Sequence, residues 1–319
     1  MKHLKTAIHK GLIYSLAISS DSSLLATGGD NNVIHIWRLP ELTIITTLPV
    51  HSRTLVNSSS TISLSFTQDG NYLVSGYSDG TVVLWQLSDW KKIRTLRRRH
   101  KRLNTICVSQ DQRYLFTAGM DNEQRGHSLR MWKFPEGKSL LTFLKGDKSG
   151  IAFLAMKPDG SMLASGGSKG IELWSVPYGK HLKTIHPFLM DYFSISPDWR
   201  LLAFIDYLFR DICLYTLPEG DFVKRLRPIR TDIASSLMLS FSSKSSCIGF
   251  SREGELLASG GANHVQIWDM PAAEQLELLH LMNFNVTDLS FAPSKNLLVC
   301  GIISNLEHVN DHKIKVYEY

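Results

Sequence analysis

Near the C-terminus Glu307, His308, Asp311 and His312 stand within six positions of one another, and these are residue types that ligate divalent metals. His308 and His312 would share a face only on a helix, and a spacing of four inside a loop is not specific. The segment therefore reads as a polar loop, and no metal is expected. Asp206 and Asp211 flank an apolar turn and would make a carboxylate pair, but no base or oxyanion donor accompanies them. The chain has no Gly-x-Ser-x-Gly elbow, no Gly-Lys-Ser/Thr phosphate loop and no Cys-x-x-Cys pair. Its four cysteines, Cys107, Cys213, Cys247 and Cys300, lie in four different segments and read as reduced thiols packed as small hydrophobes. No catalytic residue, cofactor or enzymatic activity is expected.

The remaining chemistry is charge. Between Lys91 and Arg102 lie eight basic residues and no acid: Lys91, Lys92, Arg94, Arg97, Arg98, Arg99, Lys101 and Arg102. They account for the formal charge of +6, since without them 27 of the 35 basic residues face 29 acidic ones. A near-neutral protein with one basic run is suited to an acidic partner: a protein patch, nucleic-acid phosphates or anionic lipid. The same run also reads as a solvated turn whose charges discourage edge-strand pairing. No run of about 18 apolar residues predicts a membrane span, and residues 1–10 lack the apolar stretch of a signal peptide. A soluble, cytoplasmic protein is the expectation.

These residues must be positioned by a repeat. Seven times the chain runs through a short apolar strand, a polar turn, a Leu-Leu-Ala-Ser-Gly-Gly-like strand, a second turn and a β-rich run ending in Trp or Tyr. The copies close at Trp37, Trp85, Trp132, Trp174, Tyr215, Trp268 and Tyr317, with spacings of 48, 47, 42, 41, 53 and 49 residues. A period in the forties made of short strands predicts an all-β, seven-bladed propeller of four-stranded antiparallel blades, one domain over residues 1–319. Blade four predicts strands a to d at 151–156, 162–166, 170–174 and 180–185. Glycine pairs such as Gly28-Gly29, Gly166-Gly167 and Gly260-Gly261 read as tight turns with positive φ. The last copy has no fourth strand of its own. At the other end, His3-Leu4-Lys5-Thr6 echoes His181-Leu182-Lys183-Thr184. Residues 1–10 are therefore expected to supply the outer strand of the last blade, pairing with its third strand and covering an exposed edge.

The chain resembles the WD-repeat family along its whole length, most clearly in Ser78-Asp79-Gly80-Thr81-Val82-Val83-Leu84-Trp85 and in Leu256-Leu257-Ala258-Ser259-Gly260-Gly261 followed by Ile267-Trp268-Asp269. The resemblance implies a bracing network of His, Ser or Thr, Asp and Trp in each blade. It falls on His51, Ser75, Asp79 and Trp85 in blade two and on His100, Thr117, Asp121 and Trp132 in blade three. Blade one offers a weaker set, His9, Thr27, Asn31 and Trp37. The family's Trp-Asp survives only at Trp268-Asp269, and blade five is the most degenerate. The resemblance also implies a protein-binding scaffold.

Loop lengths nominate a face. All seven a–b turns are short, whereas the insertions 50–60, 120–128, 227–246 and 302–313 lengthen d–a or b–c connections, which open on the other side. On that side the expected partner-binding residues are Arg97, Arg98, Arg99, Lys101 and Arg102 of the basic run, with Phe188, Leu189, Tyr207, Leu208 and Phe209 of an apolar patch in blade five. The apolar set reads equally as an interface or as a plug for the degenerate blade. The expected function is a non-catalytic scaffold for other proteins; the alternative is a nucleic-acid- or anion-associated subunit using 91–102.

Overall fold

A β-branched and leucine-rich strand that alternates large and small residues has two faces to bury, and stacking sheets around an axis buries both. The computed structural model describes residues 1–319 except 32, 50–59, 97–98, 122–125, 148–149, 168–169, 186–189, 207–210, 228–246 and 305–311. Among the described residues there is no helix, and every blade is antiparallel. Blade four runs Ile151–Met156, Met162–Gly167, Gly170–Ser175 and His181–Ile185 from axis to rim, each strand within two residues of its expected bounds. Blades one, two, three and five repeat this order as separate four-stranded sheets.

Blades six and seven depart from it. The outer strand of six and the inner strand of seven are one continuous element, Glu274–Phe291, which merges the two blades into a seven-stranded sheet. At the far edge of that sheet Lys2–His9 pairs antiparallel with His312–Glu318, as expected from the sequence echo. The echo extends to side chains. His3 Nε2 lies 2.8 Å from Thr6 Oγ1, and His181 Nε2 lies 3.0 Å from Thr184 Oγ1. His3 sits edge-on to Tyr317 as His181 does to Trp174.

The buried apolar residues form seven clusters, and each straddles two neighbouring blades. Strand b supplies both sides in alternation. In blade one Leu25 and its partner Trp37 face blade seven, while Ala26 and Ile36 face blade two. The seventh cluster joins Leu16, Leu25 and Trp37 to Val299, Ile314 and Val316, with Leu4 and Ala7 of the N-terminal strand packed on it, so the first and last blades are neighbours. The first glycine of each pair answers to the same seams. None of Gly28, Gly29, Gly166, Gly167, Gly260 and Gly261 has positive φ, so the turn reading is corrected. They lie in or directly after strand b. A Cβ on Gly28 would sit 2.5 Å from Thr61 of blade two, one on Gly166 2.1 Å from Phe193 of blade five. Glycine is required there by the close approach of the next blade.

Two bulges recur with the repeat. In every outer strand one extra residue stands opposite the closing aromatic, and it is apolar each time: Ile45, Ile93, Leu140, Leu182, Val223, Leu276 and, in the N-terminal strand, Leu4. In the inner strands a bulge re-aims the following side chain at the neighbouring blade. The Leu64 amide donates to Ser15 Oγ (3.0 Å), the Ile106 amide to Ser63 Oγ (3.2 Å) and the Leu16 amide to Asp288 Oδ2 (2.7 Å). Inner strands of adjacent blades share no ladder, so these bonds satisfy backbone donors that would otherwise be orphaned.

Candidate interaction surface

The a–b turns on one side are short, internally bonded and fixed. In six of them the third residue donates its amide to the carbonyl three positions back, from Ser22 to Ser19 at 2.8 Å through Gly254 to Ser251 at 3.0 Å. In most of them a Ser or Thr and an Asp close a second hydrogen-bonded ring, as in Thr67 Oγ1 to Asp69 Oδ1 (2.6 Å). Hydrogen bonds from Ser19 and Ser23 hold the Asp21 carboxyl below the usual range, and those from Lys157 and Ser161 hold Asp159 near 2.

At the other side the b–c ends are organised from within. In five blades the closing indole donates to the hydroxyl two positions beyond its pairing partner: Trp37 to Thr27 (2.9 Å), Trp85 to Ser75 (2.8 Å), Trp132 to Thr117 (2.9 Å), Trp174 to Ser165 (2.9 Å) and Trp268 to Ser259 (3.5 Å). In the two blades closed by Tyr the hydroxyl is gone with the indole. Phe204 stands under Tyr215 and Cys300 under Tyr317. A buried indole N–H needs an acceptor, whereas a phenol directs its polar atom elsewhere.

The expected networks differ in detail. In blade three His100 Nε2 lies 2.9 Å from Thr117 Oγ1. Asp121 instead takes a buried ion pair with Arg130 (2.6 Å). Burial and the Arg130 charge bring His100 down to about 4, so it is neutral at pH 7. In blade two Ser75 donates to the buried Tyr77 hydroxyl (2.8 Å), and Asp79 accepts the Thr81 amide (2.9 Å) within the turn. His51 lies outside the described residues. In blade one His9 meets the Gly11 carbonyl (2.9 Å), and Asn31 bonds His35.

The basic run is divided between two places. Lys92–Thr95 is the outer strand of blade two, where Lys91 pairs with Asp89 (3.0 Å), an acid just before the run, and Arg94 donates to the Glu136 carbonyl of blade three (2.7 Å). Lys183 and Lys224 make the corresponding tie to the next blade's c–d turn at Glu219 and Ala273. Part of the run is thus rim stitching, a use invisible in a charge count. Lys101 and Arg102 are exposed in the inner strand His100–Val108, with Arg102 paired to Met120 on the b–c hairpin. Arg97 and Arg98 lie outside the described residues.

Phe188, Leu189, Tyr207, Leu208 and Phe209 also lie outside them, but the frame of the blade-five turn is described. The Asp206 amide donates to the Asp211 carbonyl (2.9 Å). Arg225 lies 3.8 Å from Asp206 and 3.7 Å from Asp211, and Arg227 lies 3.9 Å from Asp211. The two carboxylates are therefore held by Arg225 of the outer strand Phe222–Leu226 and by Arg227 just beyond it, in a charged collar at the base of the turn. Glu307, His308 and Asp311 lie outside the described residues, and His312 begins a strand as a buried residue; among the described residues no group of three His, Cys, Asp or Glu could hold a metal. All four cysteines are free, and burial pushes the Cys300 thiol up to about 12. No described helix is long and apolar enough to cross a membrane.

A family model described as WD domain, G-beta repeat matches residues 2–38, 43–86, 90–123, 137–175 and 237–269, together more than half of the chain. The stretches it leaves include blade five and the three C-terminal strands of blade seven, the two blades closed by Tyr. No curated protein matched the chain.

Proposed function

We infer the function from the family to which the chain belongs, the WD-repeat proteins, whose domains generally mediate protein–protein interaction. This chain is a non-catalytic scaffold, one cytoplasmic domain over residues 1–319, that gathers partner proteins on the face of its d–a and b–c connections. The observation that carries the reading is the asymmetry between faces. The a–b turns are short and closed by their own hydrogen bonds, while every inserted segment falls in a d–a or b–c connection. Within that face the blade-five turn 207–210, framed by Asp206, Asp211 and Arg225, is the preferred anchor, with Phe188 and Leu189 in the d–a connection that enters the same blade. Aromatic anchors ringed by charge are the usual composition of interface hot spots.

Cross-linking of the protein to partners captured from its own cells maps the footprint. Contacts at 188–189 and 207–209 are expected, and Phe209→Asp should abolish capture while leaving the unfolding midpoint unchanged. A footprint confined to the a–b turns overturns the reading. A second reading rests on Lys101 and Arg102, exposed at the top of blade three beside Arg97, Arg98 and Arg99 in sequence. It predicts RNA or heparin binding that weakens steeply with salt and is lost when Arg97, Arg98, Arg99 and Arg102 become Ala.

A further inference from the structure

The seam between blades seven and one carries an imidazole cluster that the scaffold reading does not use. Of the eight residues in Lys2–His9 only His9 is fully buried; Leu4 and Ala7 are partly so, and the rest face solvent or nearly so. Beyond the backbone ladder to His312–Glu318 and the ion pair of the Met1 ammonium with Glu277, His9 is thus the strand's one fully buried side chain. His9 is paired with His312 of blade seven across the sheet, and its ring centroid lies 5.0 Å from that of His35 in blade one.

Hydrogen bonds fix which nitrogens carry protons. His9 Nδ1 lies 2.9 Å from the Gly11 carbonyl, which can only accept, so Nδ1 holds the proton and Nε2 is bare. Asn31 Nδ2 donates to the Lys10 carbonyl and to His35 Nε2 (3.1 Å), so His35 Nε2 is bare as well. His9 Nε2 is buried with no hydrogen-bond partner. A second proton on His9 would meet no acceptor, and one on His35 would confront the Asn31 amide as donor against donor. Either charge would also face the other imidazole, at a site closed to water.

The charged and titratable groups around the pair are few among the described residues. His312 approaches His9 from blade seven and Lys10 approaches His35, and both oppose added positive charge. Asp30, in the b–c turn of blade one, favours it, but its carboxylate already accepts the Leu12 amide (2.7 Å), with Tyr14 alongside. Burial is the largest influence and holds His9 down to about 4, with His35 lowered for the same reason. Deeper in the seam Asp288, raised to about 7 by burial, acts with the opposite sign.

We propose that this seam is a pH-sensitive latch: protonation of the His9–His35 pair releases the N-terminal strand from blade seven while the other blades stay paired. The sign follows from linkage. The released strand binds protons near 6.5 and the latched one does not until about 4, so latching weakens as pH falls through that window.

Amide hydrogen exchange on the intact protein between pH 7.5 and 5 tests it, with protection corrected for intrinsic rates. Protection of residues 2–9 should fall about tenfold per pH unit below pH 6.5 for one linked proton, while the central strand Tyr72–Tyr77 holds. His9→Gln should flatten that slope. Protection that stays constant, that falls in parallel at both strands, or that keeps its slope in His9→Gln overturns the latch. Should the variant not fold, the comparison of the two strands in the unaltered protein still decides.

Discussion

Blades three and five solve the same burial problem in opposite ways. Blade three fills its b–c end with polar groups and satisfies them: Trp132 and His100 converge on Thr117, and Arg130 meets Asp121 beneath the surface. Blade five fills the same space with Phe204 against Tyr215 and sets its charges around the turn, where the buried Asp206 and Asp211 meet the half-exposed Arg225. The difference teaches that the indole and its hydroxyl acceptor are one unit. They are lost together, and an apolar pair then carries the seam.

The sharpest way to break that contrast is to remove one charge from each blade. Asp121→Ala leaves Arg130 buried without its carboxylate and should cost about 3–5 kcal/mol in urea unfolding. Arg225→Ala, at a side chain 36% exposed, should cost about 1 kcal/mol or less. Equal losses would erase the distinction between a tight pair with a buried arginine and a looser one with a half-exposed arginine.

Acid separates the blades next. His100 is held near 4 in the fold against 6.5 in the unfolded chain. The unfolded state thus binds the extra proton first, and this share of stability is present above pH 6.5 and lost as pH falls toward 4. The linkage is worth at most about 3 kcal/mol. Taking the difference between the unaltered protein and His100→Gln across that range cancels Asp288, which titrates with opposite sign. A difference that does not shrink with falling pH would contradict a neutral buried His100. Blade five, residues 190–227, contains no histidine and supplies the flat reference.

Smaller again is the unit itself. Thr117→Val strands the Trp132 indole and should cost about 1–3 kcal/mol. In blade five Phe204→Thr alone should destabilise, and adding Tyr215→Trp should recover about 1 kcal/mol of the loss, read as the coupling in a double-mutant cycle. Zero coupling would mean that the exchange of Trp-Thr for Tyr-Phe is coincidence.

The architecture was legible because the repeat is carried by pattern: alternating strands, a closing aromatic every forty-odd residues, and the His-Leu-Lys-Thr echo that located the outer strand of blade seven. Paired glycines suggest positive φ because a lone strand shows no neighbour, whereas it is the next blade that excludes a Cβ at Gly28 and Gly166. The interblade bonds of Ser15, Ser63 and Asp288 were missed for a related reason, since they depend on a bulge whose position the sequence does not mark. In a charge count Arg94 is one more cation of the run; only the fold brings it to the Glu136 carbonyl. The interaction surface was legible only as loop length and composition, because a partner selects shapes that no internal packing rule dictates.

The pairing of His9 with His312 also sets a timetable. A ribosome emits the first of these residues 303 positions before the second, roughly 15–60 seconds at ordinary elongation rates. For that interval the opening strand has no mate, and Leu4 and Ala7 are apolar side chains awaiting a surface that does not yet exist. Whatever shields that segment during synthesis, a chaperone or a temporary neighbour, must let go when the last blade emerges.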